Sequence, residues 1–136
     1  MDGGDFTEPT GEAVPDYGGG AQGPFKLDDM RFSPTAALFE GTLHSTAKIS
    51  VFVTWTPPGR FVNLHVHPYT ETFLLLEGRG RWTAGETIVE MEAEQLLVVP
   101  PETPHGFRNT GDSPLLVVSI HESGRLEQEF SEDEPA

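Results

Sequence analysis

The amino-acid sequence predicts an all-β domain closed into a barrel or jelly roll. Short apolar runs rich in β-branched and aromatic residues recur from Phe25 to His121, and Gly, Pro and Asp interrupt them at close intervals. At least one run alternates with the period of 2 that marks a strand with one face in a core. Many short strands joined by tight turns favour closure, because closure removes exposed edges.

Met1 to Pro24 is rich in Gly, Pro and acids, including Gly18-Gly19-Gly20, and reads as a disordered acidic arm with little to bury. In the first strand Ile49, Val51, Val53 and Trp55 alternate with Ser50, Phe52, Thr54 and Thr56, which places the first set in the core and leaves Phe52 as a misfit. Pro57-Pro58-Gly59 stops it. Further strands are expected at Phe61–His67, Glu71–Leu76, Arg81–Ala84, Thr87–Glu92, Leu96–Val99, His105–Arg108 and Pro114–His121, with turns such as Glu77-Gly78-Arg79-Gly80 and Asn109-Thr110-Gly111-Asp112 between them. Gly124 to Glu132 is the one helix candidate, and it is weak. The expected organisation is therefore an arm over residues 1–24, a barrel over 25–121 and an acidic tail over 122–136, without an internal repeat.

A length of 136 residues and a hydrophobic content of 36% fit a single domain with one modest core. The formal charge of −14 is uneven: residues 1–29 contribute −6, residues 122–136 contribute −5, and the middle carries −3. Such acidity repels phosphate backbones and anionic membrane surfaces, and no basic stripe offsets it, so neither nucleic acid nor membrane is an expected partner. No basic and apolar leader and no stretch of about 18 apolar residues is evident, so a soluble cytoplasmic protein is expected. With no cysteine, any metal must be bound by imidazole and carboxylate.

His65 and His67 lie two apart on a predicted strand, so their side chains leave on one face and can converge on one ion. Glu71 follows the turn Pro68-Tyr69-Thr70 and can reach back, and a barrel can bring His105 across to the pair. Three imidazoles and one carboxylate suit one divalent transition metal ion, Fe, Mn, Ni, Co or Zn, and leave positions open on a six-coordinate ion. The nitrogen donors disfavour calcium.

Gly59, His65, His67, Glu71 and Gly78 match the pattern G-x5-H-x-H-x3-E-x6-G at every defined position. Pro100, His105 and Asn109 match a second pattern, G-x5-P-x-G-x2-H-x3-N, in which Glu94 and Glu102 replace both glycines. Over residues 30–121 the chain thus resembles the cupin superfamily. The resemblance implies a cupin-type double-stranded β-helix (jelly-roll) barrel, commonly a homodimer, with His65, His67, Glu71 and His105 as metal ligands. Gly59, Gly78 and Asn109 read as scaffold residues of turns.

If His65 and His67 point inward, period 2 also turns Phe61 and Asn63 inward, and the same rule carries Phe73 and Leu75 with Glu71 and Phe107 with His105. The result is a mostly apolar pocket suited to a small organic ligand with an oxygen donor; for Phe73 and Leu75 core packing is the favoured role. Glu102 near the barrel mouth and Tyr69 on the turn are candidate catalytic groups, although Tyr69 is expected to face solvent. His44 and His121 stand outside any motif, and His121 reads as a surface or tail-docking residue. The expected function is a metal-dependent enzyme on a small molecule, an oxidoreductase resembling single-domain cupin dioxygenases. The alternatives are a redox-neutral isomerase, lyase or polyketide cyclase, and a ligand-binding barrel without catalysis.

Overall fold

The computed structural model describes residues 20–136, so most of the expected N-terminal arm lies outside the described residues. In chain order the strands are β1 (Arg31–Ser33), β2 (Ala36–Glu40), β3 (Ser50–Thr56), β4 (Phe61–Val66), β5 (Glu71–Glu77), β6 (Arg79–Ala84), β7 (Thr87–Glu92), β8 (Gln95–Val99), β9 (His105–Asn109), β10 (Leu115–His121) and β11 (Glu129–Phe130), with one helical turn α1 (Gly41–His44) between β2 and β3. They form two antiparallel sheets, β1-β2-β3-β10-β5-β8 and β11-β4-β9-β6-β7, the double-stranded β-helix the sequence predicts.

Between the sheets Phe73, Leu75, Trp82, Met91, Val99, Phe107, Leu115 and Val117 form one buried cluster. Trp82 stacks on Phe107 with ring centroids 4.8 Å apart, and Phe73 meets both edge-on. Full burial of each such side chain stabilises the fold by about 1.5–3 kcal/mol. Phe73 also meets the ring of His105 at 5.8 Å, so the apolar cluster forms the floor of the site above it.

The faces of β3 are the reverse of the expectation. Its partner β10 pairs Thr54 with Val117 and Phe52 with Ser119, residues whose side chains line the barrel interior. Val51, Val53 and Trp55 therefore lie on the outer face, where Trp55 packs beneath the Arg31 guanidinium at 4.1 Å. Phe52, the misfit of the alternation, is the inward aromatic residue. On that outer face Val53 is nonetheless buried, and Arg31 covers the Trp55 ring.

The segment 122–136 holds no helix. It returns along β4 instead, with Glu129 opposite Val66 and Phe130 opposite His65 as β11. Backbone bonds between Leu64 and both Asp133 and Ser131 extend this docking, and Arg108 pairs with Glu134 at 3.0 Å.

The turns behave as scaffold. Gly59 and Gly78 adopt φ of 79° and 89°, and Asn109 donates from Nδ2 to the carbonyls of Thr56 and Ser113 while its Oδ1 accepts from Gly111 N–H. Glu94 and Glu102, which stand where the second motif has glycine, hold φ of 71° and 60°. The left-handed turns persist without glycine.

Candidate metal centre

Two cross-strand pairs face each other across the barrel and define the site. In one sheet β4 and β9 set His65 opposite His105; in the other β5 and β10 set Glu71 opposite His121. His67 follows the end of β4 and turns to the same point. His65, His67, Glu71 and His105 are all buried, and one ligand atom from each lies within 4.8 Å of all the others. The four residues whose spacing suggested a centre are thus gathered.

The hydrogen bonds orient these donors. His65 Nδ1 donates to the Asn63 carbonyl, His67 Nδ1 to the Glu127 carbonyl and His105 Nδ1 to the Thr103 carbonyl, each at 2.8 Å. A neutral imidazole that donates from Nδ1 carries a lone pair on Nε2. Those of His67 and His105 stand 2.9 and 2.8 Å from Glu71 Oε1, an atom that also can only accept. Buried acceptors crowded on one another call for a positive charge among them. This donor set fits a divalent transition metal, and His65, His67, Glu71 and His105 would hold it.

The electrostatics agree. Burial would push the Glu71 carboxyl up, but the His105, His121 and His67 imidazoles packed against it outweigh burial and hold the group far below the usual carboxylate range. Burial lowers His65 to about 4, partly offset by its bond to Asn63. Burial raises the Tyr69 hydroxyl to about 12.

His65 and Glu71 line a small cavity of about 80 Å³ with Phe52, Val62, Phe73, Phe107 and His121. Phe52, Thr54, Val62, Gln128 and Phe130 are shared with a larger cleft of about 780 Å³, which Phe32, Leu38 and Phe61 also wall. The centre therefore opens into an apolar, aromatic-rimmed groove. Phe130 lies over His65 at 4.6 Å between ring centroids, so the last residues of the chain form one wall of the mouth.

Phe73 and Phe107 line the cavity as alternation predicts, whereas Phe61 and Asn63 depart from it. A register shift between Val62 and His65 breaks the period, and Val62 takes the inward place. Phe61 moves to the outer cleft beneath the Arg108 guanidinium, 4.4 Å from its ring, and Asn63 Oδ1 is buried without a hydrogen-bond partner. Glu102 lies exposed on its turn, in a cleft of about 330 Å³ that it shares with His67, Glu127, Gln128 and Glu129 but not with Glu71. Tyr69, expected at the surface, is 9% exposed; it stacks on His67 at 5.0 Å and bonds His121.

His121 is the residue the sequence reading placed elsewhere. It is 2% exposed, with Nε2 at 3.2 Å from Glu71 Oε2 and Nδ1 at 2.7 Å from the Tyr69 hydroxyl. Nothing near it in sequence marks it, because β10 is apolar on both faces and the pairing with Glu71 spans fifty positions. His44 lies outside the site, stacked on Phe39.

A model of the cupin domain matches residues 52–121, just over half of the chain, and the protein belongs to that family. Among characterised or catalogued relatives, the uncharacterised protein MJ1618 of Methanocaldococcus jannaschii is 34% identical over 60% of this chain and 62% of its own length. The H2HPP isomerase of Bacillus subtilis is 31% identical over 52% of this chain and 30% of its own. The polyketide synthase CurC of Streptomyces cyaneus is 36% identical over 45% of this chain and 40% of its own. The match thus spans less than two thirds of each relative. Among solved structures, an uncharacterised double-stranded β-helix protein of Klebsiella pneumoniae superposes with a TM-score of 0.64 at 23% identity, covering 80% of this chain and 96% of that one. An oxalate decarboxylase of Bacillus subtilis studied for its Mn(II) centres gives 0.71 at 21% identity, covering 93% and 35%. At these identities the superpositions establish the fold.

Proposed function

We propose that the protein is a metal-dependent enzyme that binds a small organic substrate through an oxygen donor and transforms it without net oxidation, as an isomerase, lyase or polyketide cyclase does. One observation carries the metal requirement: His65, His67 and His105 each spend Nδ1 on a backbone carbonyl, leaving Nε2 free for an ion beside Glu71. A bound divalent ion would supply a Lewis acid for a carbonyl or enolate oxygen. Phe52, Phe73, Phe107 and Phe130 would surround the apolar part of the substrate and exclude water from the reacting atoms. Support for redox-neutral chemistry comes from the similarity to proteins named as an isomerase and a polyketide synthase. Neither Glu102 nor Tyr69 is among the residues lining the cavity beside Glu71, so their candidacy as proton carriers gains nothing from their positions.

The second reading is a dioxygenase-like oxidoreductase, favoured by the coordination positions that three histidines and one glutamate leave open. Protein loaded separately with Fe(II), Mn(II), Ni(II), Co(II) and Zn(II) would be incubated with enolisable diketones and aromatic polyketide-like ketones, with and without oxygen. The first reading expects turnover with Zn(II) under anaerobic conditions. Turnover confined to Fe(II) with matching oxygen uptake would establish the second in its place. A tightly retained endogenous molecule with no turnover under any condition would make the barrel a binding protein.

A homodimer and a cytoplasmic location belong to the same proposal. Leu96 and Val98 are 63% and 59% exposed on the outer face of β8, where a second copy would cover them, and sedimentation at micromolar concentration tests for it. No helix among the described residues is long and apolar enough to cross a membrane.

A further inference from the structure

We propose that His121 and Tyr69 form a positioning pair that grips the second oxygen of Glu71, so that the first oxygen is presented to the ion. The inference rests on the metal-centre reading above and concerns how this chain tunes that centre.

Tautomers decide which of these nitrogens can donate. Glu71 Oε2 is a carboxylate oxygen and accepts, so the hydrogen of His121 sits on Nε2, and Nδ1 takes the hydrogen of the Tyr69 hydroxyl 2.7 Å away, whose oxygen also accepts from Glu127 N–H at 3.4 Å. A neutral His121 that accepts at Nδ1 carries its hydrogen on Nε2. That atom faces Glu71 Oε2 at 3.2 Å, with Ser119 Oγ at 3.3 Å beside it. His121 is therefore wired in the opposite sense to His67 and His105: they turn a lone pair toward Glu71, and it turns a donor. A nitrogen with a hydrogen on it cannot ligate, so proximity to the centre does not make His121 a ligand.

The arrangement splits the two oxygens of one carboxylate between two tasks. Oε1 faces His67 and His105, and Oε2 faces His121. Packing holds the donor rigidly, since the His121 ring meets His67 edge-on at 4.8 Å and Tyr69 at 5.4 Å. Glu127 contributes twice from the C-terminal segment, through its N–H to Tyr69 and its carbonyl to His67. Outer groups of this kind orient metal ligands, and their loss weakens metal binding by about 10–100-fold.

The test compares His121→Phe, which fills the space without a donor, with His121→Gln, whose amide N–H replaces the lost one, and Tyr69→Phe. Affinity for Mn(II) is read by competition with a fluorescent chelator, and the environment of the ion by EPR of the loaded protein. The expected result is Mn(II) affinity about 10–100-fold weaker in His121→Phe, recovery to within about threefold of wild type in His121→Gln, and an EPR line shape altered in the first and restored in the second. Tyr69→Phe, which frees the His121 tautomer, is expected to lose about 3–10-fold and serves alone if His121→Phe does not fold. Folded His121→Phe or Tyr69→Phe with wild-type affinity and line shape would overturn the pair. So would a pulsed EPR spectrum in which His121→Phe has one coordinated nitrogen fewer than wild type, since His121 would then be a ligand. A wild-type protein that binds no Mn(II) would sink the metal centre itself, a result separable from any difference among variants.

Discussion

Glu94 and Glu102 hold φ of 71° and 60°, a region that costs a residue with a Cβ about 1–2 kcal/mol. Each keeps the turn because its N–H is engaged, Glu94 with the Leu75 carbonyl and Glu102 with that of His67. Glycine would relieve the strain while adding freedom to the unfolded chain, so Glu94→Gly is expected to gain about 0.5–1 kcal/mol in urea denaturation; a loss would show that the turn is not strained. A second outcome follows from His65. Burial holds its folded pKa at about 4, below the ordinary imidazole value of 6.5, so between these values the unfolded chain binds more protons. Metal-free protein is therefore expected to lose stability, by at most about 3 kcal/mol from this group, as pH falls from about 6.5 toward 4, and thermal melts across that range measure it. The four proposed ligands were legible in the sequence because short-range spacing places three of them and a second motif the fourth. His121 was not, because its neighbour Glu71 is set by strand register alone.

At the level of elements, β4 and β9 depend on one close approach. A Cβ at Gly106 would lie 2.4 Å from the Val62 carbonyl oxygen, a backbone atom that cannot step aside, and Gly106 sits between His105 and Phe107 at the register shift. Gly106→Ala is expected to destabilise the fold by about 1–3 kcal/mol, measured by urea denaturation, and to weaken metal binding as His105 moves. That shift is also why Phe61 and Asn63 escaped the period-2 rule: alternation holds only within an unbroken ladder. β3 misled in another way, since a strand apolar on one face and mixed on the other does not say which face is inside. Its Phe52 was the visible clue. β11 had no signal, being two residues long in an acidic stretch, yet Phe130 supplies a pocket wall. Because Phe130 is 55% exposed, Phe130→Ala is expected to change stability by less than about 1 kcal/mol while weakening binding of aromatic ligands to the cleft, a contrast that melts and ligand titration separate.

Over the whole molecule, the last fifteen residues carry −5 of the formal charge of −14, and composition gave an acidic tail with one weak helix candidate and no strand. Docking succeeds because the tail is tied by backbone bonds to Leu64, by the Arg108 pair with Glu134 and by His67 to Glu127. The last of these bonds links tail and centre, and whatever ion binding adds to tail docking, docking returns equally to ion binding. Loading with metal is accordingly expected to slow amide exchange at residues 127–131, read by hydrogen–deuterium exchange, and unchanged exchange there would show the two to be independent. The closed barrel and most of its strands were readable from apolar runs and turns, whereas the inward face of β3 was not, and the wall of the mouth arises only when the chain has closed.

The three imidazoles and the carboxylate hold the centre of this chemistry. The direct measurement is the metal content of protein stripped with chelator, reloaded with Mn(II) and desalted, combined with pulsed EPR of the bound ion. The expected result is about one ion per chain with three imidazole nitrogens in its coordination sphere. Retention of less than about a tenth of an ion per chain after loading, with each of the five candidate metals in turn, would contradict it.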